Sequence, residues 1–243
     1  MSVRRGAPGR LYLVPNLLGF VPPEAVLPQR TIAIARALGH FVVETPKIAR
    51  QFLKTLGPSR PLREIAMAEL NEHTPAASID ALLDPAFAGH DLGLLSDAGC
   101  PGVADPGALL VAAAHRANLP VVPLVGPSAV LLALMASGMN GQAFVFHGYL
   151  PAKAAARDAA LKALDAAVAR TGVTQLFIET PYRNEAMVDA VLSACAPSRH
   201  FCVAAELTSA NEQIVSRSVA EWRRMPRPAL AGRPAMFLLG SAS

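Results

Sequence analysis

Apolar runs and segments with helical periodicity alternate along the first half of the chain. Short apolar runs at 11–14, 41–44 and 91–96 are typical of buried strands. The segments between them carry helix start and stop signals, as Thr45 and Gly57 do on either side of one of them. Strands that alternate with helices predict a mostly parallel sheet covered on both faces.

The pattern changes near residue 150. A long alanine-rich helix is predicted at about 153–170, and more strands follow it. Two of these strands flank a short turn at 208–211, which predicts an antiparallel pair. We therefore predict an α/β protein with two lobes, residues 1–150 and residues 151–243. The first lobe is expected to contain a mostly parallel sheet and the second a mixed sheet, with a binding cleft between them.

An uncharged stretch at 117–146 has the length of a membrane span. Pro120, Pro123 and the turn at 126–128 interrupt it, so the prediction is a buried strand followed by a buried helix, with no membrane partner. The amino terminus has basic residues but no apolar stretch after them, and no signal peptide is expected.

Composition predicts a folded cytoplasmic protein without a metal site. The hydrophobic share of 52% and the charged share of 16% are those of a globular chain. The three cysteines form no C-x-x-C pair, which argues against a zinc site or a disulfide framework and fits a reducing compartment. The net charge of +4 permits an anionic partner.

Two irregular loops follow consecutive predicted strands. They are "LLSDAGCPGVADPG" at 94–107 and "LVGPSA" at 124–129, and the carboxyl ends of parallel strands are where such sheets bind ligands. The chain contains neither a P-loop motif nor any G-x-G fingerprint, which argues against a nucleoside triphosphate or a dinucleotide. The Asp97 carboxylate beside the main chain of Ala98 and Gly99 favours a cationic or zwitterionic nucleoside over a phosphate.

Other polar groups are candidates for chemistry or for structure. Arg183 lies at a predicted helix start, where a cation needs a partner, either Glu179 or a ligand. Glu72 and His73 stand together before another predicted helix. Cys100 lies in the first loop, but no base for a thiol nucleophile is identifiable beside it.

Five segments together carry a resemblance to a known family. They are "LLSDAGCPGVADPG" (94–107), "VVPLVGPSA" (121–129), "FVFHGYLPAK" (144–153), "LFIETPYRN" (176–184) and "AAELTSANE" (204–212). In their order along the chain, these segments resemble those of the tetrapyrrole methylase superfamily of S-adenosylmethionine-dependent methyltransferases. Within it the chain is most similar to the family of ribosomal RNA small-subunit methyltransferase I, which methylates a cytidine ribose 2′-hydroxyl in 16S RNA.

The resemblance implies a homodimer that takes part in ribosomal RNA processing and binds S-adenosylmethionine between its two lobes. It implies that both loops of the first lobe contact the cofactor and that three positions of the second lobe cover it. The implied cofactor residues are Asp97, Ala98, Gly99, Cys100, Ser128, Ala129, Tyr182, Leu207 and Pro234.

The presumed acceptor loops depart from the ribosomal family. The chain has "VPNLLGF" at 14–20 in place of a T-P-I-G-N-L loop, and Glu44 to Lys47 in place of E-D-T-R. A ribose hydroxyl needs a base, and our candidates are Glu72, His73 and Glu44, in that order. Two alternatives stay open at this point, a tetrapyrrole or other small acceptor and a non-catalytic nucleoside-binding protein.

Overall fold

A computed structural model of the protein describes residues 7–241. The chain divides into two compact units between Ser128 and Ala129, whereas the sequence placed the boundary at residue 150. The difference arises because the helix Ala129–Ser137 and the strand Phe144–Tyr149 join the second sheet, the helix by packing and the strand by pairing.

The first unit contains a five-stranded sheet in which every neighbouring pair is parallel. The strand order is β3-β2-β4-β1-β5. The first strand of the chain, β1, therefore lies between β4 and β5 and pairs with both. The strands are β1 (Leu11–Val14), β2 (His40–Val43), β3 (Ala66–Glu69), β4 (Leu92–Leu95) and β5 (Val121–Pro123). The α-helices are α1 (Gln29–Ala37), α2 (Pro46–Leu56), α3 (Asp84–Phe87) and α4 (Gly107–Arg116).

Two apolar clusters cover the two faces of this sheet. Phe52 and Leu53 of α2 pack with Phe41 of β2 in one cluster. Leu110 of α4 packs with Leu94 of β4 in the other. Because both faces are buried, the strands are apolar at nearly every position rather than alternating.

The second unit contains a mixed sheet with the order β6-β7-β10-β8-β9. Only β6 and β7 run parallel, and the predicted antiparallel pair is confirmed as β8 and β9. The strands are β6 (Phe144–Tyr149), β7 (Thr174–Ile178), β8 (His200–Ala205), β9 (Gln213–Ser218) and β10 (Ala235–Gly240). The helices are α5 (Ala129–Ser137), α6 (Ala154–Thr171), α7 (Asn184–Ala194) and α8 (Val219–Trp222).

Aromatic rings fill the centre of the second unit. Phe237 stacks on Phe177 and Phe201 with ring centroids 5.6 and 6.1 Å apart, and Trp222 lies against Phe201 at 5.5 Å. The Trp222 indole also donates a hydrogen bond of 2.8 Å to the Phe201 carbonyl, so its one polar group is satisfied while buried.

Most elements agree with the pattern of the sequence. The segment after Thr74 and Pro75 differs, because it forms the short 3-10 helices Ala76–Ser78 and Asp80–Leu83 where a helix start was read. The uncharged stretch is β5 and α5, as predicted, with β6 beginning near its end. Within residues 7–241, no helix is both long enough and apolar enough to cross a bilayer.

Candidate functional site

Five loops meet at the carboxyl edge of the parallel sheet. In the order of the strands they follow β3, β2, β4, β1 and β5, so the loop after β4 lies between those after β2 and β1. The loop after β4 belongs to the segment 94–107, which the sequence predicts to bind a ligand. The loop after β1 and the loop after β2 are its immediate neighbours.

Asn16 ties the loop after β1 to the loop after β4. Its buried side-chain amide donates to the carbonyls of Ser96 and Asp97, each at 3.0 Å. Its main-chain amide donates to the Gly99 carbonyl at 2.8 Å. Asn16 was not among the predicted site residues, although a proline and an asparagine directly after a buried strand are a recognisable loop signal.

Asp97 ties the loop after β4 to the start of α2. One carboxylate oxygen accepts from the Thr45 amide at 3.1 Å, and the other accepts from the Thr45 hydroxyl at 2.7 Å. The N-cap hydroxyl of α2 is therefore directed at Asp97 rather than at its own helix. Each carboxylate oxygen can still accept one more hydrogen bond. Asp97 therefore holds the loop in place and keeps acceptor capacity for a ligand.

The main chain after Asp97 offers unused donors. The amides of Ala98, Gly99 and Cys100 donate to no other residue within 7–241. Gly99 has a φ of +66°, and a β-carbon there would lie 3.2 Å from Leu18. Glycine is therefore needed for the turn that presents these amides.

The loop after β5 approaches the same edge closely. A β-carbon on Gly126 would collide with the ring of Pro15, so only glycine allows this approach. The Cys100 thiol donates to the Pro127 carbonyl at 3.4 Å, and burial raises its pKa. A raised pKa makes Cys100 a poor nucleophile and leaves it as a link between the two loops.

Glu44 is the carboxylate beside this network. It accepts a hydrogen bond of 3.2 Å from the Asp97 amide. Burial raises its pKa; the hydrogen bond from Asp97 opposes that shift, while the negative charges of Asp97 and Asp105 add to it. A raised pKa brings a carboxylate closer to the range in which it can accept a proton as a general base.

Glu72 and His73 lie farther along the edge, in the loop after the outer strand β3. The Glu72 Oε1 and His73 Nε2 atoms are 3.6 Å apart, and the two side chains are 86% and 84% exposed. The neighbouring Asn71 and Thr74 form a closed turn in which the Asn71 side chain accepts from the His73 amide at 2.9 Å. The first unit thus brings Glu44, but not Glu72 or His73, against the loop after β4.

In the second unit, the three predicted cofactor residues lie on loops joined by hydrogen bonds. The Gly232 amide donates to the Pro181 carbonyl at 3.2 Å, beside Tyr182. The Glu206 amide donates to the Pro234 carbonyl at 2.9 Å, beside Leu207. Tyr182, Leu207 and Pro234 are therefore brought to one edge of this unit.

Arg183 has the acidic partner that its position required. It forms an ion pair of 2.6 Å with Glu179, whose side chain is fully buried. The first of the alternatives for Arg183 is confirmed. The second Glu179 carboxylate oxygen and the Arg183 Nε are both buried with no hydrogen-bond partner in the described part of the chain.

Across residues 7–241, no group of three or more His, Cys, Asp or Glu side chains is placed to hold an ion.

Comparison with known proteins decides the family. The model of the family described as tetrapyrrole (corrin/porphyrin) methylases matches residues 27–222. The chain belongs to this family. Members are methyltransferases that use S-adenosylmethionine, and the tetrapyrrole methylase assignment makes this chain an S-adenosylmethionine-dependent methyltransferase as well.

Two curated relatives of this tetrapyrrole methylase are about one-third identical to it over the residues that align. Ribosomal RNA small subunit methyltransferase I of Escherichia coli O157:H7 is 32% identical over 213 residues, covering 88% of this chain and 70% of the relative. The protein of the same name from Micromonospora olivasterospora is 38% identical over 207 residues, covering 85% and 62%.

Solved structures support the fold of this tetrapyrrole methylase. The methyltransferase CobJ aligns with a TM-score of 0.63 and 19% identity, over 96% of this chain and 95% of that one. Uroporphyrin-III C-methyltransferase from Thermus thermophilus, solved with S-adenosylhomocysteine, aligns with a TM-score of 0.54 and 20% identity, over 96% and 98%.

Proposed function

We propose that this enzyme methylates ribosomal RNA of the small subunit at a ribose 2′-hydroxyl. The observation that carries the proposal is the identity of 32% and 38% to two relatives named ribosomal RNA small subunit methyltransferase I. An acceptor in the ribosome would place the enzyme in the cytoplasm.

The cofactor would lie against the main chain of the first unit. The unused amides of Ala98, Gly99 and Cys100 suit the carboxylate and hydroxyl acceptors of S-adenosylmethionine, and Asp97 suits its ammonium or ribose hydroxyls. Ser128 and Ala129 would contact it from the loop after β5. Tyr182, Leu207 and Pro234 would cover it from the second unit.

Glu44 is the base that the geometry favours. The bound cofactor supplies an electrophilic methyl group on a sulfonium. The Glu44 carboxylate would accept the proton of the ribose hydroxyl, and the methyl group that the ribose oxygen receives would come from this sulfonium, leaving S-adenosylhomocysteine. Glu44 precedes Glu72 and His73 in this role because it touches the loop after β4, whereas they are exposed to solvent.

The test is transfer of labelled methyl from S-adenosylmethionine to small ribosomal subunits from cells that lack this gene. We expect the label to appear in 16S RNA, and we expect one ribose of that RNA to become resistant to alkaline cleavage. Subunits that already carry the modification should take up no label. Transfer to a tetrapyrrole instead would make the chain an enzyme with a small acceptor. Binding of cofactor without transfer to any acceptor would leave a nucleoside-binding protein.

The enzyme would act as a homodimer. The second unit has apolar side chains at its surface, with Met135 of α5 80% exposed and Phe144, Val145 and Tyr149 exposed on the edge strand β6. Such surfaces are typical of protein interfaces. Light scattering on the purified chain should give twice the mass of 25.4 kDa, and the mass of one chain would contradict the proposal.

A further inference from the structure

One face of α2 forms a basic stripe made of Lys47, Arg50 and Lys54. Residues three and four positions apart lie on the same side of a helix. All three are exposed, and none forms an ion pair with a residue in the described range. Three unpaired cations along one helix attract an anionic chain such as a phosphate backbone.

Beside the stripe lies a cavity of about 560 Å³. Its walls are mainly apolar, with Leu17 and Leu18 from the loop after β1 and Ile48 and Phe52 from α2. This volume lies within the range of about 300–1,000 Å³ that is usual for small-molecule sites. We name it the α2 cavity.

Phe20 stands at the α2 cavity with 91% of its surface exposed. An aromatic ring held in solvent beside an apolar cavity is a platform for stacking a planar group. It belongs to the segment "VPNLLGF", where the chain departs from the loop of the ribosomal family.

Asp97 and Ala98, on the loop that carries the cofactor motif, also line the α2 cavity. A group bound in the cavity is consequently adjacent to the loop from which methyl transfer is proposed. The few polar groups of the wall include the Gln51 side chain, which offers both a donor and an acceptor to the edge of a base.

We propose that the α2 cavity holds an unpaired nucleobase of the acceptor RNA, stacked on Phe20, while Lys47, Arg50 and Lys54 contact the neighbouring phosphates. This rests on the proposed RNA acceptor and names the surface that would recognise it. The apolar cavity next to unpaired cations matches the two parts of a single-stranded nucleotide, the base and the phosphate.

The first measurement is binding of a fluorescein-labelled single-stranded RNA by fluorescence anisotropy. Phe20→Ala should weaken binding about tenfold, because base stacking on an aromatic ring is lost. Phe20→Trp should retain the affinity. Phe87→Ala is the matched control, since Phe87 is 50% exposed on α3, which precedes β4 and lies at the opposite edge of the sheet.

The second measurement is the salt dependence of the same binding. Arg50→Ala should reduce the slope of log affinity against log salt by about 0.7, the value for one phosphate contact with a single strand. Arg10→Ala removes the same charge at the amino end of β1 and should leave the slope unchanged.

Calorimetric titration of each variant with S-adenosylhomocysteine separates the possible failures. We expect Phe20→Ala to keep its affinity for this compound. If Phe20→Ala lowered the affinities for RNA and for S-adenosylhomocysteine equally, the α2 cavity would hold the cofactor instead. An RNA affinity that Phe20→Ala leaves unchanged would also overturn the inference. If the unaltered protein binds the cofactor product but no RNA, the proposed RNA acceptor itself fails.

Discussion

Asn16, Thr45 and Asp97 fix the relative positions of three loops by direct hydrogen bonds. Of these three, only Asp97 was predicted as a site residue from the sequence, because a carboxylate in an irregular loop is conspicuous. Asn16 and Thr45 follow strands as ordinary turn and cap residues do, and their long-range partners depend on the strand order. The sequence therefore predicted where the site lies, but not which side chains fix its loops by hydrogen bonds.

Glu44→Gln should lower the turnover number by about a hundredfold or more, because the amide cannot accept the acceptor's proton. Cofactor affinity should stay within a fewfold of the unaltered enzyme, since the side chain keeps its size. In the unaltered enzyme the acidic limb of the pH profile should lie above the usual carboxyl value of 4.5, as the raised pKa of Glu44 requires. A larger effect of Glu72→Gln would contradict this assignment.

His40 makes the folding stability sensitive to acid. Burial lowers its pKa, and the charges of His90 and Arg60 lower it further. The unfolded chain binds the proton more readily, so the free energy of unfolding should fall as the pH drops below the usual value of 6.5. His40→Gln should flatten this dependence in urea unfolding measured between pH 7 and pH 5, whereas His115→Gln on the exposed surface of α4 should not.

At the scale of elements, the alternation of strands and helices and the antiparallel pair of the second half followed from the sequence. Periodicity reports which residues are buried, and burial is what organises these sheets. β6 was not predicted as a strand, because none of its residues is buried and it therefore lacks the buried apolar run that marks strands such as β4. The segment after Thr74 became 3-10 because the Thr74 hydroxyl accepts from Asn71 instead of capping a helix.

Gly126→Ala should weaken cofactor binding about tenfold, because the added methyl group would collide with Pro15 and push apart the loops after β5 and β1. Titration with S-adenosylhomocysteine measures the effect. Gly141→Ala is the control, because a β-carbon there would meet no atom within 4 Å. Equal affinities of the two variants would show that the close approach of the loops does not matter for the cofactor.

The second unit depends on an ion pair that joins α6 to the start of β8. Arg199 contacts Asp165 at 2.6 Å and donates to the Asp165 carbonyl at 3.0 Å, and its side chain is only 9% exposed. Arg199→Met should lower the free energy of unfolding by about 3 kcal/mol, because it leaves the Asp165 carboxylate without its partner. Arg224→Met, at an exposed position, is the comparison in chemical denaturation, and equal losses would refute a specific role for the pair.

At the scale of the whole molecule, the family and the methyl donor follow from ordered motifs that lie in loops, while the acceptor does not. The loops after β4 and β5 would contact the cofactor largely through main chain, and such contacts constrain glycine and proline and so leave a recognisable pattern in the sequence. An acceptor surface such as the α2 cavity uses side chains that can change together, as "VPNLLGF" illustrates. Its recognition required the folded arrangement of α2 and the loop after β1.

The bond from Thr45 to Asp97 has an energetic consequence for how the two substrates would influence one another. It joins the start of α2, the proposed seat of the RNA, to the loop proposed for the methyl donor, so a shift of either element is transmitted to the other. Linkage then requires that RNA change the affinity for S-adenosylhomocysteine by the same factor as S-adenosylhomocysteine changes that for RNA. Thr45→Val, which deletes the hydroxyl at constant size, should bring both factors towards one.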